Sequence, residues 1–197
     1  RNPLLSECYR TIPPEVVEQL GRVPDIVVVP VGAGPLLVGI RSGFQDLLEA
    51  GEIPNVPRLL AMQADACAPL ARAWESSDWR SSLEAPLQAH ETIAEAIADP
   101  LRGYEREGLI TLEAVRASGG SVMAVGDAAM RDFQSWLAKD RGILVEPASA
   151  GAVALAFDGS ALGRLPDDAA VLVMLTGHGA KDRIARASKP GQSEDGR

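Results

Sequence analysis

The stretch Asp25-Ile-Val-Val-Val-Pro-Val-Gly-Ala-Gly-Pro-Leu-Leu-Val-Gly-Ile40 constrains the fold more than any other part of this chain. Its β-branched residues 26–29 read as a strand buried on both faces, as in a parallel sheet. Gly32 and Gly34 allow a tight turn with backbone N–H groups facing outward. Pro35 stands where a helix begins without losing a hydrogen bond. Such a turn at a helix N-terminus is an anion site, usually for phosphate. Far downstream a second apolar run, Ala170-Val-Leu-Val-Met-Leu175, ends in Thr176-Gly-His-Gly179. Two strand ends carrying special loops imply one crevice at the carboxyl edge of a sheet.

The pattern between these runs alternates. Pro13–Leu20 is spaced for a short helix stopped by Gly21. Residues 36–50 carry a stripe of Leu37, Ile40, Phe44, Leu47 and Leu48, stopped by Gly51. Residues 58–63 form a second strand, which completes a parallel βαβ unit. A short helix is expected over Pro69–Trp74, an exposed irregular loop over 76–89, and a helical turn or two over Ile93–Ala98. Thr111 reads as the cap of a helix to Ala117. A strand over Ser121–Val125 follows, and Asp127 reads as the cap of a helix over 128–138. An alanine-rich helix over Ser149–Phe157, with Ser149 as a local cap, is expected to pack on the sheet. The last strand is 170–175. The fold class is therefore α/β, a mostly parallel open twisted sheet with helices on both faces. Residues 1–183 read as one domain and 184–197 as a polar tail.

Composition excludes several classes. With 46% apolar residues, the 197-residue chain can bury a core. A net charge of −8 argues against nucleic acid or an anionic membrane as the main partner. Cys8 and Cys67 read as reduced thiols, which fits a cytoplasmic location, and Cys67 as a small buried side chain. His90 and His178 have no metal-ligand spacing, so no metal is expected. A dinucleotide fold fits badly: Gly32 and Gly34 are followed by Gly39, not by glycine at the third fingerprint position. There is no Gly-Lys-Ser/Thr, which removes a nucleotide P-loop. The chain opens on Arg1, in what reads as the middle of a segment, and is expected to be part of a longer protein.

Five strings occur in order: Pro24-Asp-Ile-Val-Val-Val-Pro-Val-Gly32, Pro57-Arg-Leu-Leu-Ala-Met-Gln-Ala-Asp-Ala-Cys-Ala-Pro69, Thr92-Ile-Ala-Glu-Ala-Ile97, Glu146-Pro-Ala-Ser-Ala150 and Leu175-Thr-Gly-His-Gly-Ala-Lys-Asp182. Together they resemble the threonine-synthase family of pyridoxal-phosphate (PLP) enzymes, which have the tryptophan-synthase-β fold (fold type II). The resemblance spans most of residues 1–183 and implies the C-terminal portion of such an enzyme. It implies PLP as cofactor and a small amino-acid substrate, with O-phosphohomoserine converted to threonine and phosphate. It also implies homodimers, as is usual for the fold. The lysine that carries the cofactor is expected upstream. Lys139, Lys181 and Lys189 all lack the family's Ser-Phe-Lys-type context, so this chain alone is expected to be inactive.

By the same resemblance, Gly32, Ala33, Gly34, Pro35 and Leu36 form the phosphate cradle. The family often has Asn after the first glycine and Gly-Thr or Gly-Asn further on. Here Ala33, Pro35 and Leu36 supply no side-chain donor, and Pro35 also lacks an N–H. The Thr176 hydroxyl is expected to face the pyridine nitrogen, and Glu146 and Gln63 to line the cleft. His178 is expected to fix its turn by hydrogen bonds. Three alternatives stand beside this reading: a threonine or serine dehydratase, a diaminopropionate ammonia-lyase, and a non-catalytic binding module on the PLP fold.

Overall fold

β1 (Ile26–Pro30) lies inside a four-stranded parallel sheet in the computed structural model, which describes residues 3–85 and 87–181. Its neighbours are β2 (Arg58–Ala64) on one side and β4 (Val171–Val173) on the other. β3 (Ser121–Val125) pairs with β2, giving the order β3-β2-β1-β4. Val28 is opposite Leu60 in β2 and Val173 in β4. All five residues of β1 are buried, as its run of valines predicts.

Alternate side chains of the strands feed two layers. On one face Val27, Val29, Leu59 and Ala61 pack with Leu37, Ile40 and Phe44 of α3 (Pro35–Glu49). Leu70 of α4 (Pro69–Trp74) and Leu112 and Val115 of α6 (Glu105–Ala117) complete that layer. On the other face Ile26, Val28, Leu60 and Met62 meet Met130 of α7 (Asp127–Arg141). Ala148, Ala152 and Leu155 of α8 (Pro147–Ala156) close the second layer. Small side chains let α8 lie close to the sheet: a Cβ on Gly151 would come within 2.8 Å of the Met62 methyl.

Several expected elements differ in extent. Residues 76–89 are not all loop: α5 (Trp79–Glu84) forms because the Asp78 carboxylate accepts from the Ser81 amide at its N-terminus. The helix expected from Thr111 begins six residues earlier, at Glu105, so Thr111 is interior rather than a cap. Asp127 does not cap its own helix; its carboxylate accepts from the Thr92 hydroxyl (2.6 Å) and the Ile93 amide (3.1 Å). Residues 93–98 form only a 3-10 turn at Glu95–Ile97. The 184–197 stretch lies outside the described residues.

Before β1 the chain forms α1 (Pro3–Cys8), a 3-10 turn and α2 (Ile12–Leu20). These lie across α3, where two glycines one turn apart let the backbones touch. A Cβ on Gly39 would stand 2.4 Å from the Ser6 carbonyl oxygen, and one on Gly43 would stand 2.4 Å from that of Arg10. Arg10 also grips Asp46 of α3 through two N–H donors, at 2.6 and 2.9 Å. Gly39→Ala and Gly43→Ala should each destabilise the fold by about 1–3 kcal/mol through overpacking. That cost exceeds the roughly 1 kcal/mol gained from helix propensity. Urea unfolding measures it, and a midpoint that does not fall would overturn this account of the crossing.

Candidate functional site

The strand order reverses at β1. The chain steps from β1 to β2 to β3 in one direction, then returns to place β4 on the other side of β1. α3, which leaves β1, lies on one face of the sheet, and α8, which comes before β4, lies on the opposite face. The connections therefore diverge at the carboxyl ends of β1 and β4. Open α/β sheets take ligands at such a crevice. The loop Gly32–Leu36 leaves one of these strand ends, and Thr176 follows the other.

The glycine loop is held from below. Gly34 is left-handed, with φ 103°, and is the residue from which α3 starts. A Cβ there would fall 2.2 Å from Thr111 Oγ1. The Thr111 hydroxyl donates to the Ala33 carbonyl at 2.7 Å and also lies 3.0 Å from the Glu107 carbonyl of its own helix. Gln63, at the end of β2, donates from Nε2 to the Gly32 carbonyl at 3.2 Å. Its Oε1 accepts from the Leu70 and Ala71 amides at the start of α4, at 2.8 and 3.2 Å. Gln63 is 0% exposed, so the structure places it beneath the loop rather than on the surface of a cleft. The first intrahelical bond of α3 runs from Val38 to Gly34. Among the described residues, no group accepts from the amides of Ala33, Gly34, Leu36 or Leu37. Four N–H groups thus gather at the N-terminus of a 15-residue helix, with Pro35 breaking the series.

A polar cluster sits at the end of β4. Ser149, fully buried in the first turn of α8, accepts at Oγ from the Thr176 amide (2.9 Å) and the Gly177 amide (3.2 Å). It does not cap its own helix, whose capping position is Glu146. The Thr176 hydroxyl, on an exposed residue, donates to Glu146 Oε1 at 3.2 Å. Glu146 is itself buried, and its amide donates to the Gly177 carbonyl at 3.0 Å. Residue 177 must lack a side chain, because a Cβ would stand 2.0 Å from the Glu146 carboxyl carbon. His178 Nδ1 accepts from the Ala180 amide at 3.1 Å, so this histidine fixes its turn as expected. The structure thus joins Thr176 and Glu146, which the sequence singled out separately.

A third wall escaped sequence reasoning. The segment 92–104 is pinned at one end by Asp127 and passes over the glycine loop, where a Cβ on Gly32 would lie 3.3 Å from Asp99 Cβ. The Asp99 carboxylate accepts from the Leu101 amide (2.9 Å) and from the Tyr104 hydroxyl. That hydrogen bond, and then burial, push the Tyr104 phenol up to about 12. Leu101 is fully buried with φ 58°, a left-handed residue that is not glycine, so this turn is held by its surroundings. Burial pushes the neighbouring Cys67 thiol up, which keeps it protonated and inert. Among the described residues no cluster of His, Cys, Asp and Glu is arranged to hold a metal. No described helix is long and apolar enough to cross a membrane.

Comparison with known proteins agrees with this geometry. The family described as "Pyridoxal-phosphate dependent enzyme" matches residues 1–177. A threonine synthase of Methanocaldococcus jannaschii is 35% identical over 193 residues, 95% of this chain and 46% of that protein. A threonine synthase of Methanosarcina acetivorans is 33% identical over 183 residues, 92% of this chain and 44% of that protein. The chain therefore spans about half the length of the curated relatives it matches. Among solved structures, a fungal L-serine ammonia-lyase from Rhizomucor miehei superposes with a TM-score of 0.67 at 23% identity. That match covers 88% of this chain and 51% of the other, and at this identity it shows the shared fold alone.

Ser149 is the keystone of the β4 loop. Ser149→Ala should leave the Thr176 and Gly177 amides without their acceptor and cost about 1–3 kcal/mol. A thermal melt should show a fall of several degrees, with Ser149→Thr losing less. An unchanged melting temperature in the alanine variant would remove Ser149 from this role.

Proposed function

Because this chain belongs to the pyridoxal-phosphate dependent enzyme family, we propose that it forms the cofactor-holding half of a threonine-synthase-like enzyme, which converts O-phosphohomoserine to threonine and phosphate. The observation that carries the reading is the pairing of four unpartnered amides with a strand-end hydroxyl across one switch point. The residues present fit the cofactor. An anionic phosphate finds N–H donors at Ala33, Gly34, Leu36 and Leu37, reinforced by the dipole of α3. Thr176 presents a neutral polar group at the neighbouring strand end, and the bare backbone of Gly177 leaves room for the Glu146 carboxylate beside it.

When bound, PLP supplies an electron sink for the amino-acid substrate. This chain's own residues bind and orient. The Gly32–Leu36 loop, with the Leu37 amide, anchors the phosphate through backbone amides. Thr176 Oγ1 faces the ring, its proton directed toward Glu146 Oε1, and Ser149 fixes the backbone that carries it. The 92–104 segment, clamped by Asp127 and by the Asp99–Tyr104 pair, walls the phosphate end of the crevice. The lysine that carries the cofactor lies in the part of the relatives' length that this chain does not span. Among the described residues Lys139 is exposed, in the last turn of α7. The small residues and the soluble-type helices suit a cytoplasmic enzyme acting on a small amino acid, as a homodimer.

The test is substrate turnover. The protein at its native length, supplied with PLP and O-phosphohomoserine, should release threonine and inorganic phosphate in equal amounts. The 197-residue chain alone should release neither. Ammonia and an oxo acid formed from serine or threonine, with no turnover of O-phosphohomoserine, would replace this reading with a dehydratase. Thr176→Val should lower kcat by about 10-fold or more while PLP stays bound, on the scale of one lost polar contact to the reacting system.

A further inference from the structure

We infer that Thr111 and Gln63, two side chains beneath the glycine loop that never meet the ligand, are positioning residues that aim the loop's amides at the cofactor phosphate. The inference rests on the phosphate reading of that loop. Its basis is the planarity of the peptide unit. In a trans peptide the carbonyl and the N–H point in opposite directions, and no described peptide bond is cis. The Gly32 carbonyl is drawn inward to Gln63 Nε2, so the Ala33 N–H in the same plane points outward. The Ala33 carbonyl is drawn to the Thr111 hydroxyl, so the Gly34 N–H points away from Thr111. Gln63 is 0% and Thr111 1% exposed, so the side opposite them is the crevice side.

Such anchoring is needed here because of the loop's own composition. Gly34 occupies φ 103°, and a glycine peptide can rotate at little cost. Ala33, Pro35 and Leu36 supply no side-chain donor to fix a phosphate independently. Direction must therefore come from the carbonyl side of the same peptides. The match is steric as well: only a glycine at 34 leaves space for Thr111 Oγ1, which a Cβ would approach to 2.2 Å. Thr111 reaches the loop from α6 and Gln63 from β2, and Gln63 also holds the start of α4. Three elements are thereby tied to the loop's backbone.

The experiment compares two ligands in the protein at its native length: PLP, and pyridoxal, which has the same ring without the phosphate. Spectroscopic titration gives both affinities. Thr111→Val keeps the shape of the side chain and removes the donor. It should weaken PLP about three- to tenfold, the equivalent of one neutral hydrogen bond. Pyridoxal affinity should stay within about twofold, a change below one hydrogen bond, and Thr111→Ser should restore PLP binding. Should the valine variant fail to fold, Thr111→Ala carries the same contrast without added bulk. Equal weakening of PLP and pyridoxal, or unchanged PLP affinity in variants that lack the hydroxyl, overturns the inference. A wild-type protein that binds both ligands equally would instead overturn the phosphate reading itself, and this inference with it.

Discussion

The architecture depends on β1 being buried on both faces. Val27 and Val29 feed one layer, and Ile26 and Val28 feed the other. A strand in that position has hydrogen-bonding neighbours on both sides, here β2 and β4, reached by connections that cover opposite faces. The carboxyl end of β1 is then the place where the two layers separate. A glycine loop at that end faces a gap that the sheet topology creates and no side chain of β1 fills. The site is thus a consequence of sheet order, and its chemistry is added by the loops on either side of the gap.

Much of this was legible because the responsible signals are local. The run of β-branched residues at 26–29, the Gly32–Gly34 turn, Pro35 and the stripe of Leu37, Ile40 and Phe44 specify strand, turn and helix within sixteen residues. Ser121–Val125 and Pro69–Trp74 have the extents expected of them. The helix around Thr111 was misplaced because threonine is a good capping residue, whereas the true start at Glu105 has no side-chain cap at Tyr104. With the start at Glu105, residues 108, 111, 112 and 115 form one buried stripe, all at 9% exposure or less. A threonine on such a stripe must find a carbonyl, and that is the signal that would have marked it.

The remaining surprises share one cause. Asp127, Ser149 and Asp78 are all residue types that cap helices, and sequence spacing alone cannot say which amide they reach. Asp78 caps the helix that follows it. Ser149 turns instead to the β4 loop, 27 residues away in sequence, and Asp127 to Thr92 and Ile93. In both cases the competing partners are backbone or hydroxyl donors brought near by the parallel sheet. The Asp99–Tyr104 pair is a similar non-local result, made possible by the left-handed turn at Leu101.

These non-local bonds change how the departures in the glycine loop should be weighed. Replacing side-chain donors by Ala33, Pro35 and Leu36 looks, in sequence, like a loss of phosphate recognition. In the structure the loop has shifted that task to its backbone, where N–H direction follows carbonyl direction. Recognition by backbone amides tolerates many side chains on the loop itself but few beneath it. Mutational tolerance at 33 and 36 and intolerance at 63 and 111 are therefore two aspects of one constraint. The same logic holds at the opposite strand end: Ser149, not Thr176, determines the backbone path, and Gly177 yields the space that Glu146 occupies. On both sides of the gap, a buried polar side chain behind the loop aims the exposed groups in front of it.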